Sequence, residues 1–213
     1  MLPSVAVVVT SYNLPAFYLR RFLEFNCYTL RQHDIDLYIV SNLHPISNFY
    51  VPIEAPVMDI FSITNCSNLG IKKAIKYGAN RIIKTDIDCI LDHDFLNHAK
   101  LITAAYRYWE CDVEKTNSGF NIESRRMNSR TMGTISGTAE EWQKSGYYCE
   151  EMCGYGIDDY SIMQRFKKAK TKIALLSRPK CWHIYHQEKH NRDTINPVRR
   201  TENFKLHKEG SKN

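Results

Sequence analysis

The feature that most constrains the fold is an unbroken apolar run, Val5–Val9, that passes directly into the polar residues Thr10, Ser11, Tyr12 and Asn13. A continuous β-branched run with a polar end is typical of a strand buried on both faces of a parallel sheet. A membrane span needs about 20 apolar residues, and no basic segment precedes this run. The run therefore predicts a first buried strand rather than a signal peptide or membrane anchor.

Strands and helices are predicted to alternate after this run. Asn13 fits the N-cap of a helix with Pro15 in its first turn, ending near Arg31. Strands follow at Asp36–Ser41, Pro56–Phe61 and Arg81–Lys84, and helices at Leu69–Tyr77 and about Asp94–Trp109. Such alternation predicts right-handed βαβ units around a parallel sheet, with ligands at the carboxyl ends of its strands. A length of 213 residues fits one α/β domain.

The second half has weaker periodicity. Residues 124–130 are polar and basic, which indicates a loop or an edge hairpin. Thr138 and Glu141 form a capping-box pattern ahead of a short helix that carries Trp142. The remaining predicted elements are a strand at Met132–Ser136, a turn at Gly154–Gly156, a helix from Asp158 to about Lys170, and strands at Lys172–Leu176 and Cys181–Tyr185.

Charge is distributed unevenly along the chain. From Arg165 onward there are 14 Lys and Arg against 4 Asp and Glu, whereas the first 164 residues carry 15 basic and 19 acidic residues. A basic C-terminal part indicates either a polyanionic ligand or simply a solvated lysine-rich end.

The cysteines are odd in number, scattered and without a C-x-x-C pair, which favours reduced thiols in a cytoplasmic protein. Cys149 and Cys153 could together hold zinc with a histidine. The seven are Cys27, Cys66, Cys89, Cys111, Cys149, Cys153 and Cys181.

Three short patterns carry chemistry. Asp86 and Asp88 follow a buried-looking strand, and two carboxylates at a rigid strand end can hold a divalent cation that bridges phosphates. His183 and His186 lie three residues apart and could complete a His-His-carboxylate set with Asp88. Each pattern alone is also compatible with a solvated strand end or with structural histidines.

The third pattern is Asp158-Asp159 after Gly154-Tyr155-Gly156. Acids are favoured at a helix start electrostatically, so capping explains the pair without any function. In a functional reading, one carboxylate is a general base for an acceptor hydroxyl and the other anchors the acceptor.

Together these segments resemble the GT-A glycosyltransferases, and specifically the catalytic domain of the β-1,4-galactosyltransferase family. The resemblance rests on VVVTSYN, on RIIKTDIDCIL, on Gly133–Asp159 against the family pattern G-x-S…W-G-W-G-G-E-D, on the run LLSRPKCWHIYHQ, and on Asn196-Pro197-x-Arg199. It implies an α/β GT-A fold: a Rossmann-like nucleotide-binding half with a mostly parallel sheet, fused to a smaller acceptor-binding half. It places these in a single domain, at about residues 1–90 and 91–186, followed by a mobile basic loop and tail at 187–213.

The resemblance also implies roles for individual residues. Metal ligands are Asp88, His186 and His183, the last standing where the family has Met. Asp159 matches the catalytic base, while Asp158 and Tyr155 stand where the family has a Glu and a Trp at the acceptor. The donor is expected to be bound by Thr10, Tyr12, Asn13, Asp86 and Arg199.

These assignments predict a metal-dependent, inverting hexosyltransferase that uses a UDP-sugar and Mn²⁺ or Mg²⁺, with a glycan or glycoside acceptor. Two alternatives remain open at this stage. One is transfer onto hydroxymethylated DNA, with the basic segments on phosphates. The other is a catalytically idle sugar-nucleotide or nucleic-acid binder.

Overall fold

The computed structural model describes residues 4–11, 15–42, 48–56, 62–116, 119–153, 157–185 and 202–207, without the side chains of residues 119 and 129–132. Eight strands and five helices are defined in this part: β1 Val5–Ser11, α1 Ala16–Gln32, β2 Ile35–Ser41, β3 Val51–Glu54, α2 Ile63–Lys76, β4 Arg81–Thr85, β5 Cys89–Ile90, α3 His93–Ala99, β6 Ala104–Thr116, β7 Gly119–Thr138, α4 Ala139–Ser145, α5 Asp158–Lys168 and β8 Ala174–Ile184. Residues 202–207 are also helical. None of the described helices is both long and apolar enough to cross a membrane.

All eight strands belong to one mixed sheet with the order β3-β2-β1-β4-β7-β6-β8-β5. The β3–β2, β2–β1, β1–β4 and β6–β8 pairs are parallel. The β4–β7, β6–β7 and β8–β5 pairs are antiparallel. β4 and β5 lie well apart in this order, although only three residues of the chain separate them.

Helices cover both faces of the sheet. The side chains of β1 are therefore buried on both sides, as its apolar run predicts. Val5, Val7 and Val9 pack against α1 and α3. Ala6 and Val8 face the opposite core, which is formed with α2, α4 and α5. The result is a three-layer α/β/α arrangement.

The first half matches the predicted order of elements with shifted ends. α1 has Pro15 at its N-cap, two residues after the predicted cap. The third strand lies at Val51–Glu54, before the predicted Pro56–Phe61, of which residues 57–61 are outside the described part. α2 begins at Ile63, with Ser62 as a side-chain cap, six residues before the predicted start.

The helix predicted at Asp94–Trp109 was wrong. α3 ends at Ala99, and the following residues form β6, which pairs with β7 on one side and β8 on the other. Tyr106, Tyr108 and Trp109 favour a pleated, half-buried surface, and pairing on both edges outweighs the helical preference of the neighbouring alanines. The segment 124–130 belongs to β7 and forms a long hairpin with β6, which is the edge-hairpin alternative.

Two further elements refine the predictions. Thr138 and Glu141 form the capping box of α4 as expected. The two predicted strands Lys172–Leu176 and Cys181–Tyr185 are one strand, β8, with a register irregularity opposite the stretch between Tyr106 and Tyr108.

Candidate functional site

The carboxyl ends of three parallel strands meet at one edge of the sheet. Ser11 pairs in register with Ser41, and Val9 with Thr85, so the residues that follow β1, β2 and β4 emerge side by side. The Ser41 hydroxyl donates to the backbone oxygen of Ser11 at 2.8 Å and ties two of these ends together. Thr10 lies at this edge and is buried. Tyr12 and Asn13 lie outside the described residues.

Asp86, the first carboxylate after β4, is held through both of its oxygens. The Lys84 ammonium donates to Oδ1 at 2.7 Å, and the Tyr108 hydroxyl donates to Oδ2 at 2.7 Å. Lys84 also donates to the backbone oxygen of Gly133 at 3.3 Å. These donors come from β4 and β6 on either side of β7, so the orientation of the carboxylate is fixed by three neighbouring strands.

Gly133 is required for this arrangement. A Cβ atom at that position would lie 1.8 Å from the Tyr108 hydroxyl oxygen and 2.4 Å from Asp86 Oδ2. Any larger residue would displace the tyrosine or the carboxylate. We refer to Lys84, Tyr108 and Gly133 as the Asp86 clamp.

Lys84 is a buried cation that interacts with the acids of the site. Its side chain is only 1% exposed, and burial lowers its pKa, but the nearby charges of Asp86, Asp159 and Asp158, with Tyr148, hold that pKa well above its ordinary value. Burial and the charges of Asp86 and Asp159 likewise raise the pKa of Tyr108. Asp158 and Asp159, at the start of α5, therefore act on the same group of side chains as Asp86.

Asp88 and His183 face each other where β5 pairs with β8. His183 is the register partner of Cys89, and its Nε2–H donates to Asp88 Oδ2 at 3.1 Å. Both side chains are 16% exposed. Burial lowers the pKa of His183, but the charge and hydrogen bond of Asp88 outweigh it and raise the pKa to about 9. At neutral pH the pair is therefore a carboxylate and an imidazolium.

Asp88 and His183 are the two predicted metal ligands that the structure describes. Their side chains are in direct contact, at the 3.1 Å of a hydrogen bond between Nε2 and Oδ2. His186, the predicted third ligand, is outside the described residues, and within them no group of three His, Cys, Asp or Glu side chains could hold a metal ion. The zinc alternative at Cys149 and Cys153 therefore has no support in the described part, where all seven cysteines are free.

Asn26, a residue that sequence reasoning missed, supports the Asp88 side of the site. It is fully buried on the inner face of α1, where its amide donates to Cys89 O at 2.9 Å and accepts from Leu91 N at 2.7 Å. The backbone of Asp88 is fixed in the same way, since Ile184 N donates to Asp88 O at 2.9 Å. A polar residue at i+4 from buried Phe22 was the signal in the sequence.

Residues 146–153, which precede the predicted turn before Asp158, form neither helix nor strand, and polar side chains hold their backbone. Asn68 exchanges two hydrogen bonds with the backbone of Tyr148. Asn203, from the helical residues 202–207, does the same with Cys153 at 2.8 and 3.2 Å. Tyr155 and the rest of the predicted 154–156 turn are outside the described residues, as is Arg199.

The other missed residues were Lys84, Tyr108 and Gly133. Lys84 carried a signal, since a charged residue inside a buried strand demands a partner. Tyr108 carried none, because it was assigned to a helix.

The two arginines of the hairpin whose side chains are described and that were predicted to meet phosphates are both paired with acids. Arg126 donates to Glu110 at 2.7 Å, and Arg125 is paired with Asp112 and packs on the ring of Tyr185. The Arg130 side chain is outside the described part.

The chain has the fold of GT-A glycosyltransferase catalytic domains. The catalytic domain of Drosophila beta-1,4-galactosyltransferase 7, in complex with xylobiose, matches with a TM-score of 0.59 and 12% identity over 94% of this chain and 78% of that one. The mannosyltransferase PcManGT from Pyrobaculum calidifontis, in complex with GDP-Man and Mn²⁺, matches with a TM-score of 0.63 and 12% identity over 97% of this chain and 63% of that one. S. aureus TarS 1-349, in complex with UDP-GlcNAc, matches with a TM-score of 0.63 and 12% identity over 97% of this chain and 66% of that one.

No family model and no curated protein sequence matches the chain. At 12% identity the structural matches establish the fold, and they confirm the resemblance to GT-A catalytic domains that the sequence motifs indicated.

Proposed function

We propose that the protein is a metal-dependent, inverting glycosyltransferase that moves a hexose from a UDP-sugar to a hydroxyl group of a glycan or glycoside. The observation that carries this proposal is the assembly of Asp86, the Asp88–His183 pair and the Asp158–Asp159 helix start around the carboxyl edge of a GT-A sheet. Structural relatives solved with GDP-Man and Mn²⁺, or with UDP-GlcNAc, support a nucleotide-sugar donor.

Residues 1–90 would bind the nucleotide sugar, with Thr10, Tyr12 and Asn13 at the base and Asp86 at the ribose and sugar. Asp88, His183 and His186 would hold Mn²⁺ or Mg²⁺, which when bound stabilises the negative charge on the leaving diphosphate. Arg199, in the basic segment after residue 187, would contact the donor.

In this proposal the transfer is a single displacement. Asp159 accepts the proton of the acceptor hydroxyl as its oxygen bonds to the anomeric carbon, and the bond from that carbon to the UDP oxygen breaks with its electron pair leaving on UDP. Attack opposite the leaving group inverts the anomeric configuration. Asp158 and Tyr155 would orient the acceptor, because holding the two reactants in line supplies much of the rate enhancement.

A donor screen tests the proposal: UDP release is measured for a panel of UDP-sugars with Mn²⁺, with and without simple glycosides, and products are identified by mass spectrometry. Release should require the divalent cation and stop on chelation. A protein that releases UDP from none of the donors, yet binds UDP, would instead be an idle sugar-nucleotide binder.

Asp159→Asn should separate chemistry from binding. Loss of a general base lowers turnover by about 100- to 10,000-fold, while the UDP affinity measured by calorimetry should be unchanged. The control is Glu140→Gln, which alters an exposed acid of the α4 surface paired with Lys144 and should leave both quantities unchanged. Turnover in Asp159→Asn equal to that of the unaltered protein would remove Asp159 from the mechanism.

A further inference from the structure

A lysine in the middle of β4 is the most unexpected charge in the described structure. Lys84 lies between Ile83 and Thr85, all three of them buried, and its strand is flanked by β1 and β7. Moving an ammonium group out of water is costly, and an apolar residue of similar volume at such a position is often at least as stabilising as a buried ion pair. Stability alone therefore does not account for a lysine here.

The position of its partner indicates what Lys84 does. The side chain extends along the strand to Asp86 Oδ1, while Tyr108 occupies the other oxygen. A carboxylate has about four lone-pair positions, so each oxygen of Asp86 keeps an acceptor site after these two hydrogen bonds. Asp86 is 30% exposed, so its remaining acceptor sites are within reach of a ligand at the sheet edge.

Lys84 also balances the charge of the site. Asp86, Asp158 and Asp159 all act on it, and a UDP-sugar brings two further negative charges to the same edge. A permanent buried cation reduces this repulsion, and it costs no reorganisation when the donor binds because it is already in place.

We propose that Lys84 is a positioning residue for sugar transfer, which acts through its ion pair by fixing Asp86 in the orientation that accepts hydrogen bonds from the donor sugar or ribose. This proposal rests on the glycosyltransferase function proposed above. Lys84 is separate from the metal ligands and the general base, and it makes its contribution without touching the substrate.

A double-mutant cycle tests whether Lys84 acts through Asp86. The variants are Lys84→Met, which keeps the length of the side chain and removes the charge, Asp86→Asn, and the two combined, with kcat and KM for the UDP-sugar measured for each. Lys84→Met should raise KM for the donor and lower kcat/KM by about tenfold, as expected for loss of a charge-assisted hydrogen bond. In the Asp86→Asn background the same change should have a much smaller effect, limited to the lost charge balance, whereas two losses that simply multiply would overturn the proposal.

The matched control is Lys144→Met, which removes an exposed lysine that is also paired with an acid, Glu140. It should leave kcat, KM and the melting temperature unchanged. If Lys84→Met does not fold, Tyr108→Phe replaces it in the same cycle, since the tyrosine holds the second oxygen of Asp86. Its loss should be smaller than about tenfold and largely absent with Asp86→Asn. Wild-type kinetics in a folded Lys84→Met protein would overturn the proposal.

A labelling experiment tests the ion pair without any activity measurement. Acetic anhydride should modify Lys144 readily and leave Lys84 unmodified, as read by mass spectrometry of the native protein. Modification of Lys84 at the rate of Lys144 would disprove the buried pair. A protected Lys84 in a protein that turns over no donor would instead mean that the proposed function has failed, and the positioning role with it.

Discussion

The two acids of the Asp86-Ile87-Asp88 turn lie one residue apart but in contrasting environments. Asp86 is held through its side chain, by an ammonium and a phenol that keep their protons at neutral pH. Asp88 is held mainly through its backbone, by Ile184 N and by Asn26 acting on the next strand, while its side chain faces the imidazole of His183. Tyr108 lies between the two, with its hydroxyl on Asp86 and its ring stacked on His183 at 4.9 Å.

The contrast shows how one short turn can provide two kinds of ligand. The Asp86 side is preorganised, so it can accept hydrogen bonds from a ligand without rearrangement. On the Asp88 side, the side chain is paired with the His183 imidazole, and in the proposed function a divalent cation would replace the proton between them. A fixed hydrogen-bond acceptor and an exchangeable cation site would then adjoin each other.

The largest expected effect comes from removing the side chain of Asp88, where the proposed cation would bind. Asp88→Ala should lower metal-dependent UDP binding and turnover by roughly 100- to 1,000-fold, because the cation loses its carboxylate ligand. The fold should be retained, since the backbone hydrogen bond from Ile184 N to Asp88 O does not depend on the side chain that is removed. Calorimetry of UDP with and without Mn²⁺ measures the loss of binding, and a thermal melt measures whether the fold is retained. Activity like that of the unaltered protein would refute the metal assignment.

Gly133→Ala should disturb the hydrogen bonds that fix the Asp86 carboxylate. The added methyl overlaps Tyr108 and Asp86, so KM for the donor should rise by about tenfold and stability should fall by about 1–3 kcal/mol. Gly70→Ala is the matched control, because its Cβ would lie 2.5 Å from Val8 Cγ1 in the core. The control should lower the melting temperature while KM stays constant, and an equal rise in KM for both variants would mean that the clamp has no specific role.

A smaller and more selective effect is expected from His183→Met. Exchanging imidazole for the softer thioether should preserve activity but favour Mn²⁺ over Mg²⁺, with Mg²⁺-supported activity reduced by about tenfold. Initial rates across a series of divalent cations measure this preference. Unchanged metal preference, or a protein that does not fold, would count against His183 as a ligand.

The smallest effect is predicted for two arginines of the β6–β7 hairpin that belong to neither the Asp86 clamp nor the proposed metal site. The Arg125→Ser, Arg126→Ser double variant removes two exposed ion pairs of the hairpin and should leave UDP binding and turnover unchanged. Retention on duplex DNA, measured across a salt series, is the accompanying test. Steep salt-dependent binding that this variant loses would restore the nucleic-acid acceptor, in spite of the ion pairs.

The sequence predicted the elements of residues 1–90 better than those that follow, for a physical reason. β1 and β2 are short, mostly apolar runs, β4 is buried throughout, and α1 and α2 alternate with these strands, so local patterns carry the information. β6 depends on partners that are remote in sequence, since it pairs with β8 at Trp109 and Trp182, and no local period distinguished it from a helix. In the charged part of β7, Arg125 and Arg126 pair with acids of β6, Asp112 and Glu110.

The candidate site shows the same difference between residues that local patterns indicate and residues that depend on remote partners. The sequence identified Asp86, Asp88, His183 and the Asp158–Asp159 pair from spacing and resemblance, and the structure brings Asp88 next to His183. The residues that hold these groups were missed. Tyr108 and Asn26 bond to groups that are remote in sequence, on Asp86 and Leu91, and local patterns do not specify such partners. Lys84 is only two residues from Asp86, and its signal was a charge inside a buried strand.

The strand order has a consequence for how the site is assembled during synthesis. Four steps of strand spacing separate β4 from β5 in a flat sheet, about 19 Å, yet the four Cα-to-Cα steps from Thr85 to Cys89 can span at most about 14 Å. The sheet must therefore curl until β5 returns beside β4, and β8 is the strand that makes this closure. A nascent chain can fold β1, β2 and β4 early, but Asp88 obtains its partner only after residue 184 has left the ribosome. Pairing of Asp88 with His183 is thus a late event, possible only once β8, the last strand of the described chain, has been added.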